Sequence, residues 1–161
     1  MSTKDNLKTS FAGESQANRK YLAFAKKADE EGYKGVAKLF RAAAEAETLH
    51  ALSQLNALGM VNTTAENLKA AIEGETYEFT VMYPGFIAEA EAGEEKTAKR
   101  VFHLANEAEK SHAELYQKAL DSLEQDKDYY FCGICGYIHE GSAPEKCPVC
   151  GVPASKFRNI G

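Results

Sequence analysis

No stretch of this chain approaches the 18 consecutive apolar residues that a membrane-spanning helix needs, so none is expected. The first residues, Met1-Ser-Thr-Lys-Asp-Asn, lack a charged-then-apolar leader; no secretory signal is expected, and the expected location is cytoplasmic. There is no basic stripe to follow a phosphate backbone, which argues against nucleic acid. Nor is there a basic amphipathic helix for an anionic membrane. Cysteine is missing until Cys132, and all four lie between Cys132 and Cys150. Scattered cysteines would suggest a disulfide framework, whereas two tight pairs in one segment suggest a metal. Breakers are scarce from Thr3 to Ser122, where the pattern is helical and rich in Ala, Glu and Lys.

What is present fits a soluble globular chain. Its 161 residues suffice for one good core and a small extra module. Residues 1–125 hold 15 Lys or Arg against 20 Asp or Glu, while residues 126–161 hold 4 of each. An acidic excess ordinarily means solubility. It means something else if several of those acids point inward.

Four helices are expected. The first ends at Gly32, and the second runs from about Gly35 to Leu58 before Gly59. The third begins near Ala65, with a cap region at Thr64 and Asn67, and should kink or break at Pro84. The fourth runs from about Lys96 to Ser122, and Leu123–Asp128 reads as a polar linker. The helical region also repeats. Ala12-Gly-Glu-Ser matches Glu73-Gly-Glu-Thr at an offset of 61, and Leu39–Glu47 matches Val101–Glu109 at 62. Two related hairpins give an approximate two-fold axis, a natural cage for two like ions.

The apolar stripe of each helix turns acidic midway. Helix 1 gives Leu7, Phe11, Glu14, Asn18, Tyr21, Ala25 and Ala28; helix 2 gives Val36, Phe40, Ala43, Glu47, His50, Gln54 and Leu58. Helix 3 carries Glu75 and Glu78 between Ile72 and Met82, and helix 4 carries Glu109 and His112 between Ala105 and Tyr116. Buried carboxylates at one level of a bundle require cations. Glu47-x-x-His50 and Glu109-x-x-His112 set carboxylate and imidazole one turn apart on one face. With Glu14 and Glu75 they form the ligand pattern of di-iron carboxylate bundles. Glu78 is an extra carboxylate whose repeat mate is Ala17. His103 falls off the stripe, His139 is expected on a surface turn, and Tyr21 and Tyr83 are expected to pack in the core.

The tail carries two Cys-x-x-Cys knuckles, Cys132/Cys135 and Cys147/Cys150, separated by eleven residues and each followed by glycine. Four thiolates suit zinc or iron, and spacing does not separate them. A redox bundle beside them favours iron, because it needs an electron donor.

With these residues in place, the chain resembles the rubrerythrin family over essentially its whole length. The resemblance rests on Phe11-Ala-Gly-Glu-Ser-Gln, Glu47-x-x-His50, Glu73-Gly-Glu-Thr-Tyr-Glu78, Met82-Tyr-Pro84, Glu109-x-x-His112 and the two knuckles. It implies an all-α, ferritin-like four-helix bundle over residues 1–125. A small rubredoxin-like domain of β and loop structure follows over residues 126–161. It implies di-iron ligands Glu14, Glu47, His50, Glu75, Glu78, Glu109 and His112, and an iron on Cys132, Cys135, Cys147 and Cys150. It further implies reduction of hydrogen peroxide to water, with Glu78 and His50 exchanging as ligands. Electrons would come through a rubredoxin or an NAD(P)H-dependent reductase.

Two expectations concern assembly. His112 stands about ten residues before its helix ends, roughly 15 Å along the axis. A head-to-tail homodimer would then bring one subunit's cysteine iron to the other's cage. The short connection from helix 2 to helix 3 also suggests a domain-swapped dimer. Other readings are iron oxidation and storage, or a non-catalytic zinc-ribbon module, which leaves the buried glutamates unexplained.

Overall fold

The structure is a computed structural model that describes residues 2–161. It contains four helical rods and a small cysteine-bearing sheet, the fold class that the sequence implies. Among the described residues no helix is long and apolar enough to cross a membrane. The chain divides into two compact units, residues 1–62 and 63–161.

The first unit is a hairpin of α1 (Thr3–Glu30) and α2 (Lys34–Ala57). Ser2 caps α1: its hydroxyl accepts from Asp5 N–H, and the Asp5 carboxylate accepts from Ser2 N–H. Gly32 ends it at φ +86°, where Tyr33 N–H donates to the Ala28 carbonyl at 2.8 Å. The interior is a seam of alanines, Ala25, Ala28, Ala37, Ala44 and Ala51, small enough for close backbone approach. Asn18 is buried in it and donates to the Ala44 carbonyl at 2.6 Å and to Thr48 Oγ1 at 2.7 Å. The seam on α2 lies one residue away from the expected stripe. Ala37 is fully buried while Val36 is 46% exposed, because only the alanine edge lets α1 come close.

The second unit begins with α3 (Thr64–Tyr77). Its cap falls one residue before the expected Thr64: Thr63 takes the role because Glu66, three residues on, reaches back to it. The rod does not break at Pro84. It widens first into a π turn, Glu78–Met82, and then continues as α4 (Tyr83–Ala92). Pro84 sits in the first turn of α4, where a missing N–H is tolerated. Next comes α5 (Lys96–Asp121), reached through Glu94 in the left-handed region at φ 57°. The chain ends in an antiparallel sheet of β1 (Tyr129–Cys132), β2 (Ile138–Glu140) and β3 (Phe157–Ile160), ordered β2-β1-β3. His139 is therefore in a strand, paired with Tyr130, and not on a turn; its Nδ1 lies 3.1 Å from Tyr137 Oη. His103 is exposed, as expected.

The repeat survives in three dimensions. Tyr21, Phe24 and Phe40 form a ring cluster with centroids 5.5–6.3 Å apart. Tyr83, Phe86 and Phe102, each 62 residues on, form the same cluster at 5.4–6.3 Å. Before the π turn the offset is 61 and after it 62. A π turn is an α-helix with one residue added, so this segment is where the second repeat gained its extra residue.

Candidate metal centres

Among the described residues three groups of potential ligands form, each inside one unit and each with ligand atoms within 4.8 Å of one another. Glu14, Glu47 and His50 stand together on α1 and α2, and Glu75, Glu109 and His112 on α3 and α5. The Glu-x-x-His spacing does what one helical turn should. His50 Nδ1 is 3.0 Å from Glu47, and His112 Nδ1 is 2.6 Å from Glu109. The third member of each triad is 3.8 Å away: Glu14 from His50, and Glu75 from His112. The repeat thus reproduces one half-site twice.

Glu78 is not in either triad. It is the first residue of the π turn, one turn past Glu75, and the charge of Glu109 and the His112 ring both act on it. Burial pushes its carboxyl above the usual range, and the Glu109 charge adds to this.

Electrostatics mark both triads as cation sites. Burial, then a hydrogen bond shared with Glu109, then the charges of Glu109 and Glu78 push Glu75 up to about 8. In the first triad a hydrogen bond shared with Glu47 raises Glu14 and lowers Glu47. Gln54 donates to Glu14 from the next turn of α2. Tyr83 and Tyr116 are held protonated, first by burial and then by the charges of these carboxylates.

The far side of His112 carries the feature that sequence reasoning missed. Its Nε2 is 2.9 Å from the Gly136 carbonyl. A carbonyl only accepts, so Nε2 carries the proton, and in the neutral ring Nδ1 offers a lone pair toward Glu109 and Glu75. Two acceptor atoms, Nδ1 and a carboxylate oxygen, stand 2.6 Å apart only with a cation or proton between them. The donor set therefore fits a divalent metal, with the outer hydrogen bond that orients a histidine ligand already made. Because Gly136 follows Cys135, the cysteine module lies against α5 of its own chain. The expected remoteness of a chain's own cysteine site does not hold. Length along a helix axis is not distance in space once the linker turns back.

The four-cysteine site is preformed. Cys132 Sγ is 3.7 Å from Cys150 Sγ, and Cys135 Sγ is 3.5 Å from Cys147 Sγ. Sulfurs at 2.3 Å from a tetrahedral metal lie about 3.8 Å apart. Gly136 (φ +85°) and Gly151 (φ +76°) take the left-handed conformation that turns the backbone over the sulfurs. The N–H groups of Ile134, Tyr137 and Val152, each two residues past a cysteine, then donate to sulfur. Burial pushes the Cys135 thiol far up, so only a bound cation makes a thiolate favourable there.

Comparisons with known proteins agree with this geometry. A family model described as Rubrerythrin matches residues 5–120, and one for the rubrerythrin rubredoxin-like domain matches residues 130–158. Rubrerythrin-2 of Clostridium acetobutylicum is 38% identical over 97% of this chain and 95% of its own length. Nigerythrin of Nitratidesulfovibrio vulgaris is 41% identical over 97% of this chain and 85% of its own. The structure of nigerythrin in a partially reduced state superposes with a TM-score of 0.61 at 38% identity, covering 99% of this chain and 87% of that one. The cofactors are accordingly a di-iron carboxylate centre and a rubredoxin-like four-cysteine iron. The chain belongs to the rubrerythrin family, whose members are di-iron oxidoreductases.

Proposed function

We propose that the protein is a peroxidase: hydrogen peroxide, two electrons and two protons become two waters at the di-iron centre. Residues 1–125 do the chemistry and residues 126–161 deliver electrons from a rubredoxin or an NAD(P)H-dependent reductase in the cytoplasm. Glu14, Glu47, His50, Glu75, Glu78, Glu109 and His112 hold the iron pair, and Cys132, Cys135, Cys147 and Cys150 hold the single iron. When bound, the pair supplies the two electrons that cleaving an O–O bond takes.

One observation carries the reading: the single hydrogen bond from His112 Nε2 to the Gly136 carbonyl. It joins a candidate ligand of the carboxylate centre to the residue following a cysteine, which an iron store would not need. The other residues have supporting roles. Glu78 and His50 would be alternative donors to the bound pair, so that a change in its charge could be met by a carboxylate or by an imidazole. Tyr83 and Tyr116 keep their phenol protons beside the carboxylates, held first by burial, and can donate hydrogen bonds there.

The two triads must meet to hold two ions. The connection between α2 and α3, residues 58–63, spans at most about 21 Å. The 24 residues of α2 run about 36 Å. Too short a return favours exchange between two chains, with the α1–α2 triad of one closing on the α3–α5 triad of the other.

The test is a hybrid protein with iron in the carboxylate centre and zinc in the four-cysteine site. Reduced chemically, it should consume about one peroxide per di-iron centre and then stop, whereas the all-iron protein turns over with reductase. Equal turnover by both would remove the electron-delivering role of the tail.

A further inference from the structure

Two buried side-chain oxygens among the described residues have no hydrogen-bond partner, Asn106 Oδ1 and Gln54 Oε1. Asn106 belongs to the seam of α5, at the repeat position of Ala44. Gln54 belongs to the metal face. It stands seven residues past Glu47 and four past His50, so all three project from one side of α2. Its side chain is hydrogen-bonded to Glu14 of α1, which lies 3.8 Å from His50 in the same triad.

The chemistry of this pair fixes the orientation of the amide. A carboxylate accepts, so Nε2 faces Glu14, and Oε1 is left closed off from solvent with no donor. A buried acceptor without a partner costs stability, and Leu or Met at this position would avoid that cost. Packing does not call for an amide either. At the same position of the second repeat, 62 residues on, stands Tyr116. Glutamine is therefore kept for the half of its amide that is used.

What the N–H does follows from Glu14, whose side chain is 29% exposed, so that packing alone leaves its carboxylate free to turn. A donor at one oxygen restricts it and leaves the other oxygen for a cation. A lysine would restrict it as well, but its charge would repel the ion. The amide is neutral and favours the ionised carboxyl that a metal needs, lowering Glu14 where Glu47 and burial raise it. We propose that Gln54 is a positioning residue of the iron centre, whose amide N–H holds the Glu14 carboxylate toward the ion bound at the Glu14, Glu47 and His50 triad. Hydrogen bonds that orient a metal ligand are commonly worth about tenfold to a hundredfold in metal affinity. With Oε1 orphaned, the two effects of Gln54 are opposite in sign: it weakens the fold and strengthens the site. A residue that only filled space would move both together.

The experiment compares wild type with Gln54→Met, which keeps the length of the side chain and removes both polar ends. Ferrous iron is titrated anaerobically into the metal-free full chain against a chromophoric chelator. Ferric-thiolate absorbance after oxidation reports the four-cysteine iron separately. The variant should hold one ion of the pair about tenfold or more weakly, with the four-cysteine iron unchanged. In thermal melts the metal-free variant should unfold no lower than metal-free wild type, because the orphaned oxygen is gone. Unchanged affinity for the pair overturns the proposal. So does a lower melting temperature of the metal-free variant, which would make the amide part of the packing. Iron affinity is read without peroxide, so neither result depends on the peroxidase reading.

Discussion

Glu75 concentrates the electrostatic cost of this design in one carboxyl, held up to about 8 against an ordinary 4.5 by burial, by Glu109 and by Glu78. In the metal-free protein the folded state keeps this proton to about 8, whereas the unfolded chain releases it from 4.5 upward. The contribution is therefore fully present below the unfolded value and is lost as pH rises toward 8. Thermal melts of metal-free protein should give a lower Tm at about pH 8.5 than at about pH 5.5. Glu75→Gln should remove much of that difference; an unchanged difference would show that another group causes it. Metal binding should run the other way and tighten as pH rises, because the ion replaces the shared proton. A second residue invites repair. Glu94 occupies, at φ 57°, the turn position that Gly32 fills in the first repeat. Glu94→Gly should raise unfolding free energy by about 1 kcal/mol in denaturant titrations, and a loss would mean that the Glu94 side chain contributes more than its strain removes.

Among the elements, the π turn sets the two repeats apart. Without it the second repeat would follow α1, where Glu14 and Tyr21 share a face with no widened turn, with Glu78 still at the place of Ala17. Deleting the exposed Thr80 should restore that regular helix. The triad and aromatic cluster should persist, with iron content near wild type, while peroxide turnover falls at least about tenfold, or 1.4 kcal/mol. Loss of iron would instead show that the π turn positions Glu75 itself. The sequence held a trace of this element, since the repeat offset changes from 61 to 62 across it. No residue preference announces a π turn, however, and Pro84 drew attention to a kink. The alanine seam was similarly half visible. Hydrophobicity favours the larger Val36 and Phe40, yet close helix approach selects the small Ala37, Ala44 and Ala51.

For the whole molecule, ligand chemistry was the most legible part. Glutamate and histidine one turn apart, and cysteines in close pairs, are choices that packing alone would not make, and the structure gathers them into three groups. Glu78 was legible as an extra carboxylate but not as the start of a π turn. The lie of the cysteine module on its own α5 was not legible, because it depends on a polar linker turning back and on packing between β2 and α5. On the function proposed above, that contact would make electron delivery within one chain the economical route. The most direct test adds one equivalent of hydrogen peroxide to anaerobically reduced, fully iron-loaded protein and follows the visible spectrum. Ferric-thiolate colour should return, and faster than with an equivalent of dioxygen, because electrons leave the four-cysteine iron for a peroxide-reducing centre. Faster return with dioxygen, or oxidised protein with no ferric-thiolate colour, would contradict it.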